Sequence, residues 1–143
     1  QKSMISPAMA RQYCQPSWTE WAGIGHDANV PVIGIDSDGY IGELIPLWIE
    51  SGMNYCDPIE VAAGSDINAF REKFGHDIAY SGSVDKRRIA KGGDTIRDEL
   101  QRLEPVIKDG GFIPSCDHGV PSDISWKNFT EYFRLLAQST GWI

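Results

Sequence analysis

Short apolar runs alternate with amphipathic stretches along this chain. Val30 to Ile35, Tyr55 to Val61, Ile78 to Ser81 and Phe112 to Cys116 have the length and composition of strands buried on both faces. Between and after them, apolar residues recur at helical spacing: Ile41, Leu44, Ile45 and Trp48; Ile67, Phe70 and Phe74; Ile96, Leu100, Leu103 and Ile107; Trp126, Phe129, Phe133 and Leu136. The predicted order is therefore βαβαβαβα. Glycines stand where the first three helices should stop, at Gly52, Gly75 and Gly110 with Gly111, because a helix C-cap needs a left-handed residue. Ser65, Asp94 and Ser125 are the expected N-caps. Pro46 predicts a late start for the first of these helices, and Pro105 a kink near Glu104 in the third. A further helix is expected over Ser6 to Ala22, opened near Pro7 and interrupted at Pro16.

Alternation of this kind implies parallel strands joined by right-handed crossovers, in an open doubly wound sheet or a closed (β/α)₈ barrel. The residues after each run favour the barrel. Asp36 and Asp38, then Glu60, then Asp85 with Lys86, then Asp117 and His118 give every unit an ionisable group at its strand end. In a barrel those ends converge on the mouth where chemistry is done. A barrel needs eight units and about 250 residues, whereas four units are read here in 143 residues. The expected fold class is thus α/β, the C-terminal half of a (β/α)₈ barrel with a lead-in helix, spanning residues 1–143 with no second domain. Either an upstream half completes it or two copies meet, and a homodimer is the expected assembly.

Composition narrows the functional classes. With 13 basic against 20 acidic residues the formal net charge is −7, which disfavours a nonspecific grip on phosphate backbones or anionic lipid, so no nucleic-acid or membrane partner is expected. No run approaches the length of a bilayer span and no signal-peptide layout is seen, which makes a cytoplasmic protein the default expectation. Cys14, Cys56 and Cys116 are odd in number and widely spaced, which signals neither a disulfide framework nor a four-thiolate zinc site.

Several blocks carry a resemblance. Asp36-Ser-Asp-Gly-Tyr-Ile-Gly-Glu-Leu-Ile-Pro-Leu-Trp, Pro58-Ile-Glu-Val-Ala-Ala-Gly, Gly82-Ser-Val-Asp-Lys and Gly111-Phe-Ile-Pro-Ser-Cys-Asp-His-Gly-Val-Pro, with the lead-in Ile5-Ser-Pro-Ala-Met, resemble the C-terminal half of the uroporphyrinogen decarboxylase superfamily. The resemblance implies a (β/α)₈ barrel and one of two chemistries. The porphyrinogen decarboxylases work without a cofactor, through an aspartate in the N-terminal part and a histidine in a Gly-His-Gly near the last strand. The other branch moves methyl groups among methylated compounds, corrinoid proteins and thiols, often with zinc held by a His-x-Cys pair and a later Cys. Here the pair position reads Asp36-Ser-Asp38 and the late position His118, so the thiolate ligands are replaced. Asp38-Gly39 and His118-Gly119 match the decarboxylase pattern, with Asp117 in place of its first glycine. The implied function is cofactor-free decarboxylation of a polycarboxylated small molecule. The alternatives are methyl transfer with zinc or a corrinoid protein partner, and a noncatalytic half-barrel that assembles by pairing.

Residue by residue, His118 is the first candidate, an imidazole beside the last strand able to shuttle a proton near neutral pH. Asp36, the second catalytic candidate, lies two positions before Asp38, so a persisting strand would turn both to one side. Together they suit a cation or pyrrole-type N–H donors, and turn chemistry at Asp-Gly is the structural alternative. Glu60, between apolar neighbours, joins Asp38 as a substrate-binding candidate, and with Asp36 and His118 it would make a hard ligand set for a divalent metal. Asp85 and Lys86 are read as a substrate contact or a structural ion pair. Lys86-Arg87-Arg88 reads as an anion clamp or a solvated helix start. His26 and His76 fall in loops at the opposite end and receive no role. Gly23-Ile-Gly25 precedes a strand and so is not a dinucleotide fingerprint, and Asn128-Phe-Thr130 lies on an amphipathic helix.

Overall fold

The computed structural model describes residues 2–143. Two lead helices, α1 (Pro7–Tyr13) and α2 (Gln15–Asp27), precede four βα units. These contain β1 (Gly34–Asp36), α3 (Ile45–Glu50), β2 (Tyr55–Ile59), α4 (Ile67–Phe74), β3 (Ala79–Val84), α5 (Lys86–Lys91), α6 (Asp94–Asp109), β4 (Phe112–Cys116) and α7 (Trp126–Ser139). The strands form one sheet in the order β1-β2-β3-β4, every pair parallel. That is an α/β fold with helices interleaved between parallel strands, as the alternation predicts. No helix among the described residues is long and apolar enough to cross a membrane.

Burial follows from the strand period. Tyr80 and Val84 of β3 point into the core, where Tyr80 stacks on Phe70 of α4, and α6 packs on both β3 and β4. The alternate positions, among them Tyr55, Asp57, Ala79, Ser81, Ile113 and Ser115, open onto clefts instead. The lead helices pack on α3, and Arg11 reinforces this with an ion pair to Glu50 at 2.8 Å.

The predicted boundaries hold unevenly. β4 matches residue for residue. β1 begins at Gly34 rather than Val30, because Pro31 has no N–H to donate and the Ile33 N–H is taken by the Asn54 side chain at 2.8 Å. β3 runs on to Val84 through Ser81, Gly82 and Ser83, a stretch too polar and small to read as a strand. Gly82 (φ 104°) and Ser83 (φ 64°) are both left-handed, and a Cβ at Gly82 would lie 2.7 Å from the Ile59 nitrogen. Only glycine lets β2 and β3 approach so closely there, and their register shifts between Cys56 and Ile59.

Two N-caps lie one residue from their expected positions. Asp66, not Ser65, caps α4 by accepting from the Asn68 N–H, while Ser65 turns its hydroxyl to the Gly39 carbonyl. Gly93 is the N-cap of α6 and Asp94 its first helical residue. Ser125 caps α7 as expected, accepting from the Asn128 N–H at 3.2 Å. Helix α3 starts late, at Ile45, with Pro46 in its first turn. Helix α6 continues past Pro105 to Asp109, since Gln101, whose carbonyl loses its partner, sits on the solvated side. The lead segment is two helices broken at Cys14, the second reaching Asp27 rather than Ala22.

Candidate functional site

All four strands point the same way, so their C-terminal ends share one edge of the sheet. There the chain places a cleft of about 270 Å³. Asp36 ends β1, and after it Ser37 donates its N–H to the Asp57 carbonyl at 2.8 Å, which holds the loop bearing Asp38 against β2. Asp36, Asp38 and Asp57 line the cleft together with Ser81 of β3, Ser115 and Cys116 of β4, and His118. The hydroxyls of Ser81 and Ser115 are 3.3 Å apart.

His118 and Asp38 meet over this cleft. Nε2 of His118 lies 3.3 Å from Oδ1 of Asp38, and Nδ1 accepts the Gly119 N–H at 2.7 Å. An Nδ1 that accepts places the proton of the neutral ring on Nε2, facing the carboxylate. The pair is open to solvent, with 47% of the His118 side chain exposed, so its worth lies in orientation more than in stability. Loops from the two outermost strands thus bring an acid and a base into contact.

Asp57 supplies the site's second electrostatic feature. Burial, and then the neighbouring Asp36 carboxylate, push the Asp57 carboxyl above its ordinary value, against a hydrogen bond from Tyr55 that pulls it down. Burial likewise pushes the Cys116 thiol up, so it is the neutral thiol that borders the cleft.

Behind this wall stands a layer of polar ties. The Glu60 carboxylate accepts the Gly39 N–H at 3.0 Å and lies 3.6 Å from the Lys86 ammonium. Asp117 is fully buried. Its two oxygens accept the N–H of Val61 at 3.0 Å and of Lys86 at 3.1 Å, which fastens the segments leaving β2, β3 and β4 to one carboxylate. Asp85 caps α5 through the Arg87 N–H and is gripped by the Arg87 guanidinium, with the closest contact 2.8 Å. Burial raises the Asp85 carboxyl, but the hydrogen bonds from Arg87 outweigh it and leave it below the usual value.

Of the six residues the sequence singled out, the structure brings Asp36, Asp38 and His118 into one cleft. Glu60 and Lys86 pair with each other behind it, and Asp85 is held in a structural ion pair with Arg87. Glu60 does not join Asp36 and His118 around a common point, and no group of three His, Cys, Asp or Glu is placed to hold a metal among the described residues. His26, bonded to the Gly52 carbonyl at 2.9 Å, and His76, paired with Asp109 at 3.0 Å, serve the fold away from the cleft.

Sequence reasoning missed Asp57, Ser81 and Ser115. For Asp57 and Ser81 the signal was the strand period, since they alternate with the buried Cys56 and Tyr80, whereas β4 has no buried position to mark Ser115. Comparison with known proteins adds no family: no family model matches the chain, and no curated protein matches it.

Proposed function

We propose that this chain carries one half of a (β/α)₈-type active site of the uroporphyrinogen decarboxylase kind, acting without a cofactor on a polycarboxylated, porphyrinogen-type small molecule. What supports the reading is the Asp38–His118 pair on the rim of a cleft otherwise walled by carboxylates and hydroxyls. Decarboxylation breaks a carbon–carboxylate bond and leaves an electron pair on carbon, which must then receive a proton. His118 is the group to deliver it, and Asp38 orients the ring and stabilises its charged form. Asp36 and Asp57 cannot face the substrate's carboxylates without repulsion. They fit its N–H donors, and a carboxylate beside such a nitrogen stabilises positive charge that builds up there. Asp38 lines the cleft itself, Glu60 and Lys86 brace its rim from behind through the Gly39 N–H and their ion pair, and Asp85 contributes through the start of α5.

The test is direct. Uroporphyrinogen, kept reduced, is incubated with the protein and the products are weighed by mass spectrometry. Successive losses of CO₂ are expected, abolished in His118→Ala and strongly reduced in Asp36→Asn. Methyl transfer to a corrinoid protein with no CO₂ loss would instead support the methyltransferase branch, and neither activity would support a noncatalytic unit.

A further inference from the structure

We propose that Glu60 is the positioning residue of the Asp38–His118 pair: through the peptide of Gly39 it sets where the Asp38 carboxylate stands, within a frame that Lys86 and Asp117 extend to His118. Its effect on turnover rests on the reading of His118 as the proton donor. Its effect on the geometry of the pair stands without that reading.

The pair has to be placed from outside itself. The Asp38 side chain is 61% exposed and that of His118 47%, so packing locks neither. An aspartate has one short arm, and its carboxylate goes where the backbone puts it. Here that backbone is tied on both sides. Before Asp38, the Ser37 N–H is donated to the Asp57 carbonyl at 2.8 Å. After it, both polar groups of Gly39 are held, the N–H by Oε2 of Glu60 at 3.0 Å and the carbonyl by the Ser65 hydroxyl at 3.2 Å. Gly39 has φ 83°, a left-handed conformation that glycine adopts without strain, so the loop can turn there and offer its N–H to the residue that follows β2.

Glu60 is itself oriented. Its Oε1 lies 3.6 Å from the Lys86 ammonium, which leaves Oε2 to Gly39. Both side chains are largely buried, and there a charge pair is screened less than at the surface. Lys86 is anchored in turn, its backbone N–H donated to Oδ1 of Asp117 at 3.1 Å. Asp117 is fully buried and gives its own N–H to the Val84 carbonyl at 2.9 Å.

His118 is the next residue after Asp117. Both members of the pair are therefore referred to one frame, His118 by chain connection and Asp38 by the side chain of Glu60. Removing the Glu60 carboxylate releases only one of them, so what changes is their relative placement. A misplacement of about 1 Å at a reacting group costs a rate up to about 100-fold. A neutral side chain that still accepts the Gly39 N–H should keep the placement, and this separates position from charge.

Two readouts on the full chain test this. The first needs no substrate: the nuclear Overhauser effect between the His118 ring protons and the Asp38 methylene protons. It is expected in the wild type and in Glu60→Gln, whose amide oxygen still accepts the Gly39 N–H, and about threefold weaker or absent in Glu60→Ala. The second is CO₂ loss from uroporphyrinogen. Glu60→Ala should lower kcat about tenfold with KM within about twofold, Glu60→Gln should stay within about threefold of the wild type, and Glu60→Ala should cost nothing further in an Asp38→Asn background. Lys86→Met keeps the acceptor but unpins it, so it should weaken the same Overhauser contact and carries the test if the far-UV spectrum shows Glu60→Ala unfolded. An unchanged contact in folded Glu60→Ala or in Lys86→Met would overturn the proposal. So would a Glu60→Gln as impaired as Glu60→Ala, or an equal loss of rate with and without Asp38. If the wild type releases no CO₂ while the contact follows Glu60 as expected, the positioning role stands and the decarboxylase reading falls.

Discussion

Replacing Asp117 by alanine isolates what holds the cleft's rim together. The carboxylate is fully buried and accepts two backbone N–H groups, from Val61 and Lys86, on segments 56 and 31 residues away in the chain. Hydrogen bonds to a charged acceptor contribute about 1.5 to 3 kcal/mol each, and removing the acceptor strands both donors in a dry site. The expected cost is about 3 to 5 kcal/mol, a large part of the 5 to 15 kcal/mol that holds a domain. Asn in its place keeps one acceptor and opposes the second N–H with an amide donor, so Asp117→Asn should cost about half as much. The pH dependence has a definite sign. Burial pushes the Asp117 carboxyl up, against hydrogen bonds from Lys86 and Val61 that pull it down, and the balance lies above the usual value. The folded state therefore binds the proton more tightly than the unfolded state. This group's contribution is fully present below the unfolded value and declines as pH rises through the raised folded value. Urea unfolding at fixed protein concentration measures all three quantities, and with a slope near 2 kcal/mol/M the alanine variant should lose about 2 M of midpoint. A shift under about 0.5 M would mean that the rim is held by other contacts and that this reasoning is wrong.

Glu99 anchors the other side of β3, accepting from the Asp85 N–H at 3.0 Å and from Arg102 at 2.7 Å, so Glu99→Ala should cost about 3 to 5 kcal/mol and Glu99→Gln clearly less, as read by the same titration. His118→Ala removes an exposed side chain and should move stability by less than about 0.5 kcal/mol while eliminating the proposed decarboxylation; CO₂ loss unchanged in the variant would leave the residue a structural role. Cys56 is fully buried and its thiol is pushed up to about 12 by burial, so a disulfide reagent at pH 8 should label at most two cysteines until the protein unfolds.

The fold was legible because its signal is repetitive. Four apolar runs, helical stripes and the glycines after them are enough to place parallel strands in order, and Phe112 to Cys116 could be read exactly. Where reading failed, polarity was the reason. The Ser81-Gly82-Ser83 stretch of β3 lines a cleft and makes a close approach to β2, so it lacks the apolar side chains by which a buried strand is recognised. Pro31 gave the opposite error, an apolar run whose first residues cannot complete a ladder. At the site, Asp36, Asp38 and His118 stood out because they follow strands. Asp57, Ser81 and Ser115 lie inside strands, where only the register of neighbouring strands reveals which face each occupies. Asp117 was noticed as a departure from a pattern, but its burial and its two backbone partners come from elements distant in sequence.

The adjoining left-handed residues of β3 have a consequence for how the protein tolerates change. At position 82 the obstacle is another backbone, the Ile59 nitrogen, which cannot step aside as a side chain can. At position 83 the serine adopts a conformation that costs an ordinary residue about 1 to 2 kcal/mol and is fully buried, so glycine could stand there with less strain while a larger side chain would not fit. Random variation across this strand would meet a closed door at one residue and, at the next, one open to glycine alone. The site's architecture thus rests on a position with no side chain at all, and its neighbour holds a reserve of stability that substitution can release.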